Sequence, residues 1–179
     1  MAPRRVVQVA EPVFPGPAAT LVGRPVGQIG IVVRDLEISC RRYSALWQCG
    51  PWRIYTYSPA ILTHQSFRGE LSRFAVRIAL NPTTPQIELL QPLEGPSVYD
   101  DWLDRRGEGL HHLAAYVEDA DEAIASLVAV GYPVIQEGRG FGVGGDGAFV
   151  YFDTEHDLGY LLEVVQPPKT RREPELVIP

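Results

Sequence analysis

The sequence is poor in cysteine, in clustered positive charge and in long apolar runs. Its 179 residues include two cysteines, Cys40 and Cys49, which are too few for a disulfide framework and fit a reducing, cytoplasmic compartment. The net charge is −6 and no stretch is rich in lysine or arginine, so we expect no nucleic-acid partner. No run approaches the roughly 18 apolar residues of a membrane span, and prolines interrupt residues 6–19, so we expect neither a membrane segment nor a signal peptide.

A repeated pattern fills the chain between two proline-rich ends. Each copy begins with a short apolar strand that ends in an aspartate, at residues 28–35 and again at residues 112–119. A helix and then three strand-like segments follow in both copies, which predicts two β-α-β-β-β modules. The predicted organisation is an extended N-terminal arm (residues 1–24), a first module (25–93), a linker (94–108), a second module (109–168) and a C-terminal tail (169–179).

The helix of each copy has its own start signal. Asp119 is the expected N-cap of the second helix, because Glu122 follows at the position of a capping box. Asp35 is the expected N-cap of the first helix, and its buried positions are predicted at Ile38, Leu46 and Trp47.

Four polar side chains occupy matching places in the two copies. Gln28 and His112 begin the first strands, and Glu88 and Glu163 lie in the last strands. A polar residue in an apolar inward row of a strand is costly unless a partner satisfies it. A divalent metal ion would satisfy all four. Three oxygen donors and one imidazole suit zinc, nickel, cobalt, manganese or magnesium, with a position left open for substrate.

Each of these residues has a simpler explanation when it is taken alone. A glutamate at the end of a strand is usually exposed, and a glutamine is usually at the surface or satisfied within the core. Only their common register across the repeat favours the metal site. His111 directly precedes His112, so we expect the two rings on opposite faces of the strand, with His111 hydrogen-bonded on the helix-packed face.

These residues resemble the vicinal-oxygen-chelate superfamily, which includes glyoxalase I and methylmalonyl-CoA epimerase. The resemblance covers about residues 25–168 and is carried by residues 28–36, 87–93, 107–113 and 158–163. It implies an α+β fold in which the two βαβββ modules form an open, curved eight-stranded mixed sheet, with the metal in the concave middle. It also implies a homodimer. The ligand set is similar to that of the eukaryotic type of glyoxalase I, whereas the surrounding segments are more similar to the epimerases.

The resemblance and the ligand set together predict a metal-dependent isomerase, epimerase or lyase that acts through an enolate. The expected substrate is an acyl thioester, a hemithioacetal or another small oxygenated acid. Metal coordination of a carbonyl oxygen acidifies the neighbouring carbon. Glu88 and Glu163 are then the candidate catalytic bases, one removing and the other returning the proton.

Four further residues are candidates for substrate contacts. Arg73 and Arg77 alternate with apolar residues in a predicted strand, so they would hold a substrate carboxylate or phosphate, or simply form an exposed polar face. Trp52 and Tyr55 belong to an aromatic segment that departs from the epimerase pattern and indicates a more aromatic substrate pocket.

Two other segments have open roles. Glu70 lies where the epimerases carry a second base and would substitute for it, although nothing in the sequence requires this. The glycine-dense residues 138–147 contain a formal GxGxxG pattern, but no strand leads directly into it. We therefore predict a flexible loop or lid there rather than a dinucleotide site.

Two other classes of function remain. A binding protein that sequesters an aromatic metabolite or drug is the first alternative, although such members of the superfamily generally lack the full ligand set. An extradiol-type dioxygenase is the second, and it needs two histidines and one carboxylate around iron. Gln28 stands where one of those histidines is expected.

Overall fold

The computed structural model of the chain describes residues 16–179, so most of the predicted N-terminal arm lies outside the described part. The arm's last residues are not simply extended, because Ala19–Leu21 form one turn of 3-10 helix. The Thr20 amide donates a hydrogen bond to Ser126 Oγ at 3.2 Å, which attaches this turn to the second copy of the repeat.

Residues 16–179 form eleven strands and four α-helices. The helices are α1 (Leu36–Trp47), α2 (Val98–Arg106), α3 (Ala120–Ala129) and α4 (Glu155–Leu158). The strands are β1 (Gln28–Val32), β2 (Trp52–Tyr57), β3 (His64–Phe67), β4 (Glu70–Leu71), β5 (Ala75–Leu80), β6 (Gln86–Glu94), β7 (Gly109–Tyr116), β8 (Val134–Phe141), β9 (Gly147–Phe152), β10 (Leu161–Gln166) and β11 (Leu176–Ile178).

All of these strands belong to one open mixed sheet in the order β11-β2-β5-β6-β1-β7-β10-β9-β8-β3-β4. The predicted α+β class and the curved, open sheet are confirmed. The predicted number of eight strands is wrong, because three strands lie outside the two copies of the repeat. The β3–β4 hairpin comes from the residues between β2 and β5 of the first copy but pairs with β8 of the second copy, and β11 of the C-terminal tail pairs with β2.

The two copies meet at the centre of the sheet, where β1 and β7 run antiparallel. Gln28 pairs with Ala114, and Gly30 pairs with His112. Each first strand is parallel to the last strand of its own copy. This register gives the centre a local twofold relation, and the polar residues of the two copies lie around it.

The helices begin where their caps predict. The Asp35 carboxylate accepts a hydrogen bond from the Ile38 amide, and the Asp119 carboxylate accepts from the Glu122 amide. The prediction for the buried face of α1 is wrong at all three positions, because Ile38 is 48% exposed, Leu46 is 80% exposed and Trp47 is 71% exposed. The buried side chains of α1 are confined to its first two turns, so the last turn has no sheet surface against it.

Only half of the glycine-dense segment, residues 142–146, is a loop, and the other half is strand. Gly138 and Gly140 lie within β8, and only residues 142–146 connect β8 to β9. A Cβ at Gly138 would come 2.2 Å from the Phe149 ring, so this glycine makes room for an aromatic side chain on the neighbouring strand. Among the described residues, no helix has the length and apolar character to cross a bilayer.

Candidate metal centre

Three potential metal ligands converge on the concave side of the sheet. Potential ligand atoms of Glu88, His112 and Glu163 all lie within 4.8 Å of one another. His112 Nε2 is 3.0 Å from Glu163 Oε2 and 3.4 Å from Glu88 Oε2. All three side chains are buried, which is rare for carboxylates without a compensating partner.

The backbone register explains how residues distant in sequence meet here. Glu88 lies beside Gly30 on the parallel β6–β1 pair, and His112 lies on the other side of Gly30. Glu163 lies beside Ala114, two residues after His112. Glu88, from the first copy, and Glu163, from the second copy, therefore approach the cluster from opposite sides.

Gln28 is also buried and lines the same cavity as Glu88 and Glu163. Its amide nitrogen donates a hydrogen bond to Gln86 Oε1 at 3.1 Å. Gln86 is itself oriented, because its own nitrogen donates to the Asn81 carbonyl at 2.9 Å. The Tyr116 hydroxyl is a second donor to Gln86 Oε1. The nitrogen of Gln28 is thus occupied, which leaves its oxygen available as a ligand atom.

His111 does not take the place that alternation predicts. The β1–β7 register shifts after Gly30, where the next pair is Ile31 with Leu110, so His111 occupies a bulge. The Nδ1 atoms of His111 and His112 are 2.9 Å apart, and both rings contact Tyr151. The expectation of opposite faces is therefore wrong, because a bulge interrupts the alternation.

The contact between the histidines restricts how their protons are arranged. Two ring nitrogens at this distance need one donor and one acceptor. Burial, together with the charge of His112, lowers the pKa of His111 well below its usual value, so His111 is the neutral ring. A charged His112 has a proton on both nitrogens, so His111 accepts. His112 then carries its proton on Nδ1, which leaves Nε2 directed at the two carboxylates.

The charged groups of the cluster perturb one another strongly. Burial disfavours the imidazolium of His112, but the carboxylates of Glu163 and Glu88 outweigh it and raise the pKa of His112 to about 9. Burial raises the pKa of Glu88, and the negative charge of Glu163 adds to this effect. A protonated His112 is thus the counter-ion of the carboxylates when no other cation is present.

The donor set fits a divalent metal ion. His112 Nε2 and Glu163 Oε2 are fully buried and 3.0 Å apart, but their contact lacks hydrogen-bond geometry and neither atom has another hydrogen-bond partner among residues 16–179. Unsatisfied buried polar atoms that converge in this way are costly, and an ion would satisfy them together. Two carboxylates, one imidazole and one amide oxygen form a mixed set suited to zinc, manganese, cobalt, nickel or magnesium.

Aromatic side chains cover the cluster. Gln28, Glu88 and Glu163 border a cavity of about 30 Å³. Tyr57 packs over this cavity against Phe141, with ring centroids 4.9 Å apart, and against Phe149 at 6.1 Å. Such a volume holds about two water molecules, so a substrate group enters only if this cover rearranges.

The structure adds an arginine to the cavity wall that sequence reasoning missed. Arg171 lies in the C-terminal segment, which we define as residues 167–175, between β10 and β11. Its guanidinium donates a hydrogen bond to the Tyr57 hydroxyl at 3.2 Å. The segment has no periodic pattern, so no signal in the sequence connected it with the cavity.

The two arginines predicted to contact substrate lie elsewhere. Arg77 faces the helix side of the sheet, where its guanidinium is 3.2 Å from the Glu37 carboxylate of α1. Arg73 is exposed and precedes β5, which begins only at Ala75. The side chains of β5 that face the cavity are Ile78 and Leu80. Arg77 is separated from the cavity because alternate residues of a strand face opposite sides.

The two aromatic candidates are divided between the faces of the sheet. Trp52 is fully buried beneath α1, where its indole nitrogen donates to Ser44 Oγ, so it does not border the cavity. Tyr55 faces the concave side, and the Arg171 guanidinium carbon lies 5.5 Å from its ring centroid. Glu70 is exposed on β4, outside the cluster.

Comparison with known proteins is consistent with this architecture. A sequence profile described as Glyoxalase/Bleomycin resistance protein/Dioxygenase superfamily matches residues 27–152. No curated protein matches the chain.

Several solved structures are similar. A hypothetical protein from Bacillus halodurans is 21% identical over 84% of this chain and 99% of its own, with a TM-score of 0.59, and shows the fold. Methylmalonyl-CoA epimerase from Mycobacterium tuberculosis is 27% identical over 78% of this chain and 85% of its own, with a TM-score of 0.53. A variant of the Streptomyces coelicolor methylmalonyl-CoA epimerase in complex with 2-nitronate-propionyl-CoA is 25% identical over 80% of this chain and 96% of its own, with a TM-score of 0.52.

Proposed function

Because the chain belongs to the Glyoxalase/Bleomycin resistance protein/Dioxygenase superfamily, we propose that it is a divalent-metal-dependent isomerase, epimerase or lyase. Its reaction passes through the enolate of a small carbonyl or thioester substrate. The observation that carries the proposal is the pair of buried carboxylates, Glu88 and Glu163, on either side of His112. Similarity to two methylmalonyl-CoA epimerases at 25% and 27% identity supports a thioester as the substrate.

The residues that would hold the metal are Gln28, Glu88, His112 and Glu163. When bound there, a divalent ion polarises a substrate carbonyl oxygen and favours loss of a proton from the neighbouring carbon. His111 maintains the tautomer of His112 in which Nε2 faces the cavity. The amide of Gln86 holds Gln28 so that its oxygen faces the same space.

Glu88 and Glu163, each able to leave the metal transiently, would move the substrate proton. They approach the cavity from opposite sides of the local twofold relation, so each would reach one face of a planar carbon. One carboxylate removes the proton and the other returns it, which inverts the configuration of that carbon.

The aromatic cover would protect the reaction from water. Tyr57, Phe141 and Phe149 surround the mouth of the cavity with apolar surface. Exclusion of water strengthens the charge interactions within a site and protects a reactive intermediate from side reactions. This arrangement favours a proton transfer within the site over a hydrolysis.

Hydrogen–deuterium exchange at the substrate carbon tests the proposal. Metal-loaded protein in D₂O is mixed with methylmalonyl-CoA or with a glutathione hemithioacetal, and loss of the proton signal is followed by NMR. Glu88→Gln and Glu163→Gln should each slow turnover by about 10²-fold or more, the usual contribution of a positioned base. Glu94→Gln is the matched control, because Glu94 is exposed at the end of the same strand as Glu88.

Full activity of either glutamine variant at the cluster would eliminate the two-base scheme. Tight binding of an aromatic compound without any exchange would instead favour the sequestration protein. We do not propose a dioxygenase, because the cluster in the described residues contains one histidine and two carboxylates, whereas that chemistry needs two histidines.

We further propose that the protein is a cytoplasmic homodimer and that its domains follow the bounds predicted from the repeat. Sedimentation of the purified full chain tests the dimer. A monomer at micromolar concentration would contradict it.

A further inference from the structure

Arg171 occupies an unusual position for a cation. It is half-buried and lines the cavity that Gln28, Glu88 and Glu163 also border. Hydrogen bonds anchor the chain on both sides of it. The Val143 amide donates to the Thr170 carbonyl at 2.9 Å, and the Glu175 carboxylate accepts from the Thr56 amide at 2.8 Å. The segment is therefore attached to the β8–β9 connection before Arg171 and to β2 after it.

The guanidinium of Arg171 has few partners. Its hydrogen bond to Tyr57 and its contact with the Tyr55 ring use only part of its five N–H donors. Among residues 16–179, no carboxylate oxygen lies within 4.0 Å of it. Other arginines with partly buried side chains, such as Arg77 and Arg139, form ion pairs. A half-buried cation without an ion-pair partner is a binding group for an anion.

The charge balance of the metal-loaded site also favours an anion next to Arg171. Glu88 and Glu163 together balance a divalent ion, and His112 is neutral when its Nε2 is a metal ligand. With such an ion bound, the charge on Arg171 would have no counterpart among the residues that border the cavity. An anionic group on the bound molecule would neutralise it.

Arg171 also lies between two spaces. On its inner side is the cavity of about 30 Å³ that holds the carboxylate cluster. On its outer side is a cleft of about 210 Å³ that opens between β2 and the C-terminal segment. Tyr57, Phe141 and Arg171 border both spaces, so a molecule that fills the cleft and reaches toward the cluster passes this guanidinium.

We propose that Arg171 binds a carboxylate on the substrate and thereby selects acyl thioesters or carbonyl compounds that carry such a group. The planar guanidinium matches a carboxylate through two parallel hydrogen bonds. The inner cavity is too small for a bulky anion, so the carboxylate belongs to the reacting end of the substrate. This inference rests on the proposed function for the identity of that reacting end.

A binding experiment tests Arg171 independently of turnover. Isobutyrate and its neutral isostere isobutyramide are titrated into the metal-loaded full-length protein by calorimetry. Isobutyrate should bind the wild type, and Arg171→Gln should weaken it at least about tenfold, as expected for a hydrogen bond to a charged group. Lys169→Gln is the matched control, since it removes one exposed positive charge from the same segment and should leave binding unchanged. Metal content must remain equal in all three proteins.

A second comparison uses the exchange reaction with two thioesters. Methylmalonyl-CoA carries a carboxylate where 2-methylacetoacetyl-CoA carries a neutral acetyl group. Arg171→Gln should lower kcat/KM at least about tenfold for the first and leave the second nearly unchanged. An equal loss for both thioesters, or unchanged isobutyrate binding in Arg171→Gln, would overturn the proposal. Exchange of neither thioester by the wild type, with Arg171-dependent isobutyrate binding intact, would overturn the proposed reaction and retain the carboxylate site.

Discussion

The imidazole of His112 lies against the backbone of Gly30, its partner on the neighbouring strand. A Cβ at Gly30 would come 1.8 Å from His112 Cε1 and 2.1 Å from Nε2. The ring therefore occupies the space that any other residue at position 30 would fill. Gly30 allows His112 to extend over β1 toward Glu88.

Gly30→Ala should displace the His112 ring and thereby disrupt the metal centre. Overpacking at such a site costs about 1–3 kcal/mol of folding stability. We expect the purified variant to lose most of the metal that elemental analysis finds in the wild type. Gly144→Ala is the control, because a Cβ there meets its nearest atom at 3.5 Å and should change neither metal content nor stability. Wild-type metal content in Gly30→Ala would contradict the role of this contact.

The stability of the metal-free protein should depend on the proton of His112. Its pKa rises from 6.5 to about 9 on folding, so the stabilisation is complete below pH 6.5 and is lost as the pH rises to about 9. The loss is on the order of 3 kcal/mol. Urea denaturation in the presence of a chelator, at pH values between 6.5 and 9, measures it. Metal-loaded protein is the control, because bound metal replaces the proton.

A linked effect concerns metal affinity. His112 must release its proton before Nε2 can bind an ion, so affinity should rise by up to about tenfold per pH unit below pH 9. Calorimetry in two buffers with different heats of ionisation counts the released proton. A pH-independent affinity between pH 6.5 and 9 would show that His112 is not a ligand.

Gln86→Leu should weaken metal binding through Gln28. The substitution removes the acceptor that holds the Gln28 amide nitrogen, so the Gln28 oxygen is no longer directed at the cavity. Loss of such an orienting contact typically costs 10- to 100-fold in metal affinity, or about 1.4–2.7 kcal/mol. Tyr116→Phe is the control, since it removes the other donor to Gln86 Oε1 and keeps the bond to Gln28. Competition with a fluorescent chelator measures both affinities.

Much of the fold was predictable because its signals are local. The aspartate caps, the strand alternation and the repeat depend on short stretches of sequence, and the repeat alone placed Gln28, His112, Glu88 and Glu163 in matching positions. The structure brings Glu88, His112 and Glu163 into one cluster, and Gln28 borders the same cavity as the two glutamates. Their meeting follows from the register of β1, β6, β7 and β10, which the repeat implies.

Other features depended on contacts between distant parts of the chain. Alternation could not reveal the bulge at His111, because a bulge is defined only by the register of the partner strand. The alternation of residues also predicted a strand that contains Arg77. It did not indicate which face of that strand lies under α1. The β3–β4 hairpin pairs with the other copy of the repeat, which no pattern within residues 64–71 indicates.

The sequence by itself determined the repeated β-α-β-β-β order and the four polar residues in register, because hydrophobic periodicity and capping are properties of neighbouring residues. Only the tertiary structure decided that Gly30 makes room for His112, that Gln86 orients Gln28, and that Arg171 closes the cavity. These contacts join residues that are far apart in the chain, and strand pairing and the course of the C-terminal segment bring them together.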